Sequence, residues 1–164
     1  MKNAISIILA FALCFSLAAT ASAVYSNDYS STIGCGTYHF IAIKPDGSLW
    51  SWGGKSGNKY GQLGDGTYED RYEPIIVMSD AAYVDAKGLR SLAIKKDGSL
   101  WIWGGFNEKL SSPIKVMENV LSASLNGENN NIIALKRDGS LSVLSYSKTG
   151  DVYNTSVLLQ NVTS

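Results

Sequence analysis

One unit recurs three times along this chain. A chain built of repeats must stack its copies to bury their apolar faces. The copies are FIAIKPDGSLWSWGG at 40–54, SLAIKKDGSLWIWGG at 91–105 and IIALKRDGSLSVLSY at 132–146. Their aspartates, Asp46, Asp97 and Asp138, are spaced 51 and 41 residues apart. The copies agree at Ala42/Ala93/Ala134, at Lys44/Lys95/Lys136 and through the Asp-Gly-Ser-Leu tetrad.

Each copy reads as a β-hairpin. Alternating apolar residues flank an Asp-Gly pair, and the glycines Gly47, Gly98 and Gly139 supply the positive φ that the turn needs. Pro45 suits the entrance to such a turn, where its fixed φ helps and no ladder bond is lost. Ile41 and Ile43 point one way, Phe40 and Ala42 the other. Trp50 and Trp52 share one side of the returning strand and Trp101 and Trp103 do so in the second copy, with Gly53 and Gly104 closing the strands. A sheet apolar on both faces must be sandwiched between neighbours. Antiparallel hairpins repeated along a chain and covered on both sides predict blades around an axis. Ala42, Ala93 and Ala134 would let blades approach closely, and the four tryptophans are expected in the core. A second segment follows each hairpin: EPIIVMSDA from Glu73, SPIKVMENV from Ser112 and NTSVLLQNV from Asn154. It reads as an extended lead-in to the next blade, and 24–35 reads as one further strand. The expectation is an all-β, partial β-propeller of about three blades.

The N-terminus has its own signature. Met1-Lys2-Asn3 is followed by an apolar run from Ala4 to Ala19 and by Ala21-Ser22-Ala23. That is the pattern of a secretory signal peptide over 1–23, shorter than the roughly 20 apolar residues of a spanning helix. Secretion, with no stable membrane span after cleavage, is therefore expected. The repeat domain then covers 24–164 and reads as truncated. Removing Lys2 takes one from 14 Lys+Arg against 14 Asp+Glu. Near-neutral charge argues against nucleic acid, which is gripped through phosphates. Cys35 is the one cysteine left after cleavage, so no intrachain disulfide can form, and it reads as a small buried residue.

These residues resemble a known family. Gly36-x-x-His39, Asp46-Gly47-x-Leu49-Trp50-x-Trp52-Gly53, Gly61-Gln62-Leu63-Gly64-x-Gly66 and Pro74-x-x-Val77 resemble one repeat of the regulator-of-chromosome-condensation family. The second copy keeps its hairpin but lacks the Gly-Gln-Leu-Gly segment. In the third, Ser142 and Leu144 stand where the tryptophans would be. The resemblance implies a seven-bladed propeller, of which this chain supplies about three blades. It also implies two activities to weigh: guanine-nucleotide exchange on a small GTPase, and inhibition of β-lactamases, as in one bacterial member with short repeats. Self-association could complete such a ring.

No reactive set stands out, and no cofactor or metal is expected. His39 is the one histidine, and Arg90 and Asn131 occupy its slot in the other copies, so the position reads as structural. No Cys or second His stands at zinc spacing, and no Ser-His-Asp set is visible. Gly54-Lys55-Ser56 lacks the upstream glycine of a phosphate loop, since Leu49 holds that place. The chain is therefore expected not to be an enzyme. Tyrosine and arginine dominate interface hot spots. The long loop from Lys55 to Tyr72 carries Tyr60, Tyr68, Arg71 and Tyr72. With Phe106, these form the expected binding surface for a protein or glycan. Asn154-Thr155-Ser156 and Asn161-Val162-Thr163 match the glycosylation pattern.

Overall fold

The computed structural model describes residues 32–54, 58–105, 110–126, 131–146 and 152–159; for residue 146 and for 152–159 it describes the backbone. The leader at 1–23, Phe106 and the acceptor at Asn161 lie outside the described residues.

The described strands form three four-stranded antiparallel sheets, each paired in chain order. The first holds β1 (Ile33–Cys35), β2 (Phe40–Ile43), β3 (Leu49–Gly53) and β4 (Arg71–Met78). The second holds β5 (Ala81–Lys87), β6 (Arg90–Lys95), β7 (Leu100–Gly104) and β8 (Leu110–Met117). The third holds β9 (Val120–Leu125), β10 (Ile132–Lys136), β11 (Leu141–Tyr146) and β12 (Val152–Leu159). β5 packs on β1 and β2, and β9 packs on β5 and β6. The sheets thus stack face to face, as three consecutive blades of a partial propeller. Among the described residues no helix is long and apolar enough to cross a membrane.

The segments expected to lead into the next blade have a different place. Arg71–Met78 pairs with β3 and completes its own sheet, as Leu110–Met117 does on β7 and Val152–Leu159 on β11. The next blade begins only after two further residues. In those crossovers Asp80 and Asn119 sit at φ 60°, a left-handed conformation that Asp and Asn tolerate best among residues with a side chain. Hydrogen bonds hold each crossover on both sides. The Ala81 and Val120 N–H groups donate to the carbonyls of Gly47 and Gly98. The Asp80 and Asn119 carbonyls accept from Lys96 and Arg137 N–H.

The Asp-Gly-Ser-Leu tetrad builds the hairpin turn. Gly47 N–H donates to the Lys44 carbonyl, closing a turn with Pro45 and Asp46 at its centre, and Gly47 follows at φ 85°. This is the three-residue type of hairpin, a turn followed by a left-handed bulge residue. The Asp46 carboxylate accepts from Ser48 N–H at 2.8 Å and Ser48 Oγ–H at 2.6 Å, and Ser48 Oγ accepts from Trp50 Nε1 at 2.8 Å. Asp97, Ser99 and Trp101 repeat the chain at the same three distances. In the third copy Asp138 and Ser140 remain, and the indole is replaced by Ser142. Hydrogen bonds from the serine hydroxyl and N–H hold all three carboxyls below the usual range.

Two apolar clusters fill the joints. Between blades one and two lie Ile41, Leu49, Ala81, Val84, Ala86, Ala93 and Trp103. Between blades two and three lie Leu92, Ile94, Leu100, Ile102, Ile132, Ala134 and Leu144, among others. Two expectations need correction. Trp103 is core, but Trp50, Trp52 and Trp101 are half-buried. Cys35 is exposed, because it lies opposite Phe40 on the uncovered face of blade one.

Candidate functional site

The segment from Asn58 to Asp70 links β3 to β4 and does two jobs. One half clasps the next blade. Leu63, Gln62 and Asn58 are fully buried. A Cβ on Gly61 would meet the Leu110 carbonyl oxygen at 2.6 Å, and one on Gly64 would meet the Trp103 ring at 2.7 Å. Only glycine lets this backbone lie on blade two, and both positions also have positive φ.

His39 belongs to the same clasp. Its Nε2 lies 2.7 Å from Ser91 Oγ, across the joint. Ser91 Oγ donates to the Gln62 carbonyl at 3.0 Å, which also accepts Trp103 Nε1 at 2.9 Å. The single hydroxyl proton of Ser91 is thereby committed, so His39 Nε2 must carry a hydrogen and donate it. Nδ1 is then the unprotonated nitrogen; it has no hydrogen-bond partner and lies where a Cβ on Gly36 would fall. Burial pulls the imidazole pKa down to about 4. The imidazole is therefore a neutral strut in a buried network. Asp46, Gly47, Trp50, Trp52, Gly53, Asp97, Gly98, Trp101, Trp103, Gly104, Asp138 and Gly139 likewise stand in the strands and turns of the repeats.

The other half of the segment faces outward on a braced frame. The Asn58 side-chain amide donates to the Thr67 and Glu69 carbonyls at 3.0 and 2.9 Å, and its oxygen accepts Leu63 N–H at 3.0 Å. Asp65 accepts from Thr67 Oγ1 and from Arg71 Nε, both at 2.8 Å. Burial alone would push this carboxyl up, yet the bonds from Thr67 and Arg71 bring it below the usual range. Arg71 is thus tied to the loop through Nε, with its side chain 36% exposed. Tyr60 is half-buried, with its N–H on the Gln62 side chain.

Tyr68 and Tyr72 are 51% and 79% exposed. With Lys59, Glu69 and Asp70 they line an open groove of about 470 Å³. The Tyr72 ring rests against Gly54, where a Cβ would lie 2.1 Å from Cε1. Sequence reasoning named both tyrosines and missed Asn58 and Asp65, which hold them. Asn58 reaches residues up to 11 positions away, so no local pattern marks it. Among the described residues no group of three His, Cys, Asp or Glu converges on a common point as metal ligands would.

Comparison with known proteins places this geometry. Residues 31–62 match the family described as "Regulator of chromosome condensation (RCC1) repeat". The human E3 ubiquitin-protein ligase HERC2 is 35% identical over 78 residues, 44% of this chain and 2% of the relative. The Arabidopsis thaliana ultraviolet-B receptor UVR8 is 31% identical over 99 residues, 52% of this chain and 22% of the relative. The chain thus spans a quarter or less of these curated relatives. Among solved structures, human WBSCR16 superposes with a TM-score of 0.61 at 22% identity, over 70% of this chain and 32% of that one. Prp20p from Saccharomyces cerevisiae, a protein with binding properties to Gsp1p and histones, superposes at 0.59 and 20% identity, over 72% of this chain and 33% of its own.

Proposed function

We propose, for what is an RCC1-like repeat protein, that it is a secreted, non-enzymatic module binding a protein partner through the Tyr68–Tyr72 loop. The leader pattern at 1–23 supports secretion. The observation that carries the binding reading is the pair of exposed tyrosines beside the groove, Tyr68 on a loop braced by Asn58 and Tyr72 on β4. Exposed aromatic rings on a rigid frame lose little entropy on binding and are frequent hot spots. His39, the one histidine, is buried and its Nε2 is engaged, which leaves the chain no imidazole for acid–base work. That a fold relative binds Gsp1p and histones agrees with protein as the partner class.

The test compares the unchanged chain with Tyr68→Ala/Tyr72→Ala. Immobilised protein would be exposed to extracellular fluid from the producing culture, and the retained proteins identified. The expected result is a partner retained by the first and lost from the second, with equal thermal midpoints. A partner retained equally by both overturns the loop assignment, and no partner for either overturns the binding reading. Nucleotide release from a small GTPase and β-lactamase inhibition are measured on the same samples. Activity in either assay would replace this reading.

A further inference from the structure

The sequence holds four Asp-Gly bonds, at 46–47, 65–66, 97–98 and 138–139, and each is followed at once by Ser or Thr. An Asp-Gly bond is chemically fragile. The glycine nitrogen attacks the aspartate Cγ, the amide proton and the carboxyl OH leave together as water, and a five-membered succinimide closes. Water then adds to either ring carbonyl. One addition restores aspartate; the other gives isoaspartate, in which the backbone runs through the side-chain carboxyl. One water is lost and one regained, so no co-reactant beyond solvent is needed. Glycine is the most vulnerable partner because no side chain shields its nitrogen. Asp46, Asp97 and Asp138 are moreover exposed at hairpin turns.

The fold engages both reacting groups at all four bonds. On the nucleophile side, Gly47, Gly98 and Gly139 N–H donate to the Lys44, Lys95 and Lys136 carbonyls at 2.8, 2.9 and 3.0 Å, and Gly66 N–H donates to the Ser111 carbonyl at 2.7 Å. An amide bonded in this way gives up its proton only when the bond opens. On the other side, one oxygen of Asp46, Asp97 and Asp138 accepts both the N–H and the hydroxyl of the serine two residues on. Asp65 accepts the same pair from Thr67, at 3.0 and 2.8 Å, and Arg71 Nε besides. Such bonds favour the ionised carboxylate, which has no OH to lose. At Asp46 and Asp97 an indole N–H donates to the serine oxygen, so the serine's own proton is directed at the carboxylate. Asp80 and Asp85, which precede alanines, are bonded elsewhere, Asp80 to Ser79 and Asp85 to Ser124 and Leu125. The clamp thus follows the fragile bond. We propose that the Asp-Gly-Ser/Thr unit is a chemical lock as well as a turn, its hydroxyl keeping these four bonds from rearranging to isoaspartate. The extra backbone carbon of isoaspartate would lengthen a short hairpin loop, whose length fixes the register of the blade. The lock stands apart from the Tyr68–Tyr72 reading and does not depend on it.

The test ages the protein, as its producing cell processes it, at neutral pH below its thermal midpoint, beside a sample unfolded in guanidinium chloride. Isoaspartate is measured with isoaspartyl methyltransferase after digestion and located by peptide mapping. All four sites are expected to accumulate it in the unfolded sample. In the folded chain each rate is expected to fall by about tenfold or more, because reaction then waits on local opening. Ser48→Ala is expected to raise isoaspartate at Asp46 alone, with Asp97 and Asp138 of the same molecules as controls. Equal rates in the folded and unfolded samples would overturn the proposal. So would an Asp46 that stays as slow in Ser48→Ala as in the unchanged chain. Should Ser48→Ala raise every site together, the fold itself has opened, and Thr67→Val, which keeps the side-chain shape and drops its hydroxyl, is read at Asp65 instead. A rise confined to Asp65 supports the lock, and any other result overturns it.

Discussion

His39 shows what one residue contributes to a joint. In the folded chain its pKa is about 4, whereas an unfolded chain takes up the proton near 6.5. Between these values the unfolded state binds the proton and the folded state does not. Stability is therefore full above about 6.5, falls as the pH drops towards 4, and levels off for this group below that. The full loss is about 3 kcal/mol, at 1.36 kcal/mol per pKa unit. Urea midpoints measured from pH 7 to pH 4 are expected to show this slope, and His39→Gln to lack it. Asp46 titrates in a separate, lower window. Its carboxyl lies below the usual range because Ser48 donates to it twice. Ser48→Ala removes the hydroxyl donor, so NMR titration of Asp46 is expected to move up towards an ordinary aspartate. Whatever stability this turn draws from the ionised carboxylate is present above the ordinary value and lost as pH falls through the lowered one.

At the scale of elements, the loop after β3 acts through glycines whose demands differ. Gly61 combines φ 76° with a Leu110 oxygen 2.6 Å from any added Cβ, whereas Gly66 has φ 82° and meets nothing closer than Ser112 Oγ at 3.4 Å. Alanine at Gly66 should cost about 1 kcal/mol from backbone strain alone. Alanine at Gly61 should cost more, since backbone of blade two must shift. Chemical denaturation of the two variants checks the order. The hairpins themselves were legible in sequence, because Asp-Gly-Ser-Leu is a local code read within four residues. Pairing partners were not. Arg71–Met78 has the same extended pattern whether it completes its own sheet or starts the next. The choice depends on register with β3, across a loop of 17 residues. The exposure of Cys35 and the Ser91 partner of His39, 52 residues away, depend in the same way on which faces meet. Tyr68, in the loop, and Tyr72, near the start of β4, were legible because aromatics flanked by charges seldom bury.

Across the whole molecule, stability is the sum of blades and of the joints between neighbours. The first joint carries the polar clasp of His39, Ser91 and Gln62, and the second is held mainly by aliphatic packing. Leu92 is fully buried in the second joint. Leu92→Ala should cost about 2–5 kcal/mol. The loss should appear as faster hydrogen exchange in β9 to β11, with β1 to β3 less affected. Equal loss of protection in all three blades would show that the stack opens as one unit. The buried hydrogen-bond chain from the imidazole through Ser91 to Gln62 has one more result. The chain contains a single histidine, so its Cε1 proton is the one resonance of its kind and needs no residue assignment. Seated beside Gly36 and shielded from water, that proton reports in a one-dimensional spectrum of the chain whether the first two blades are shut.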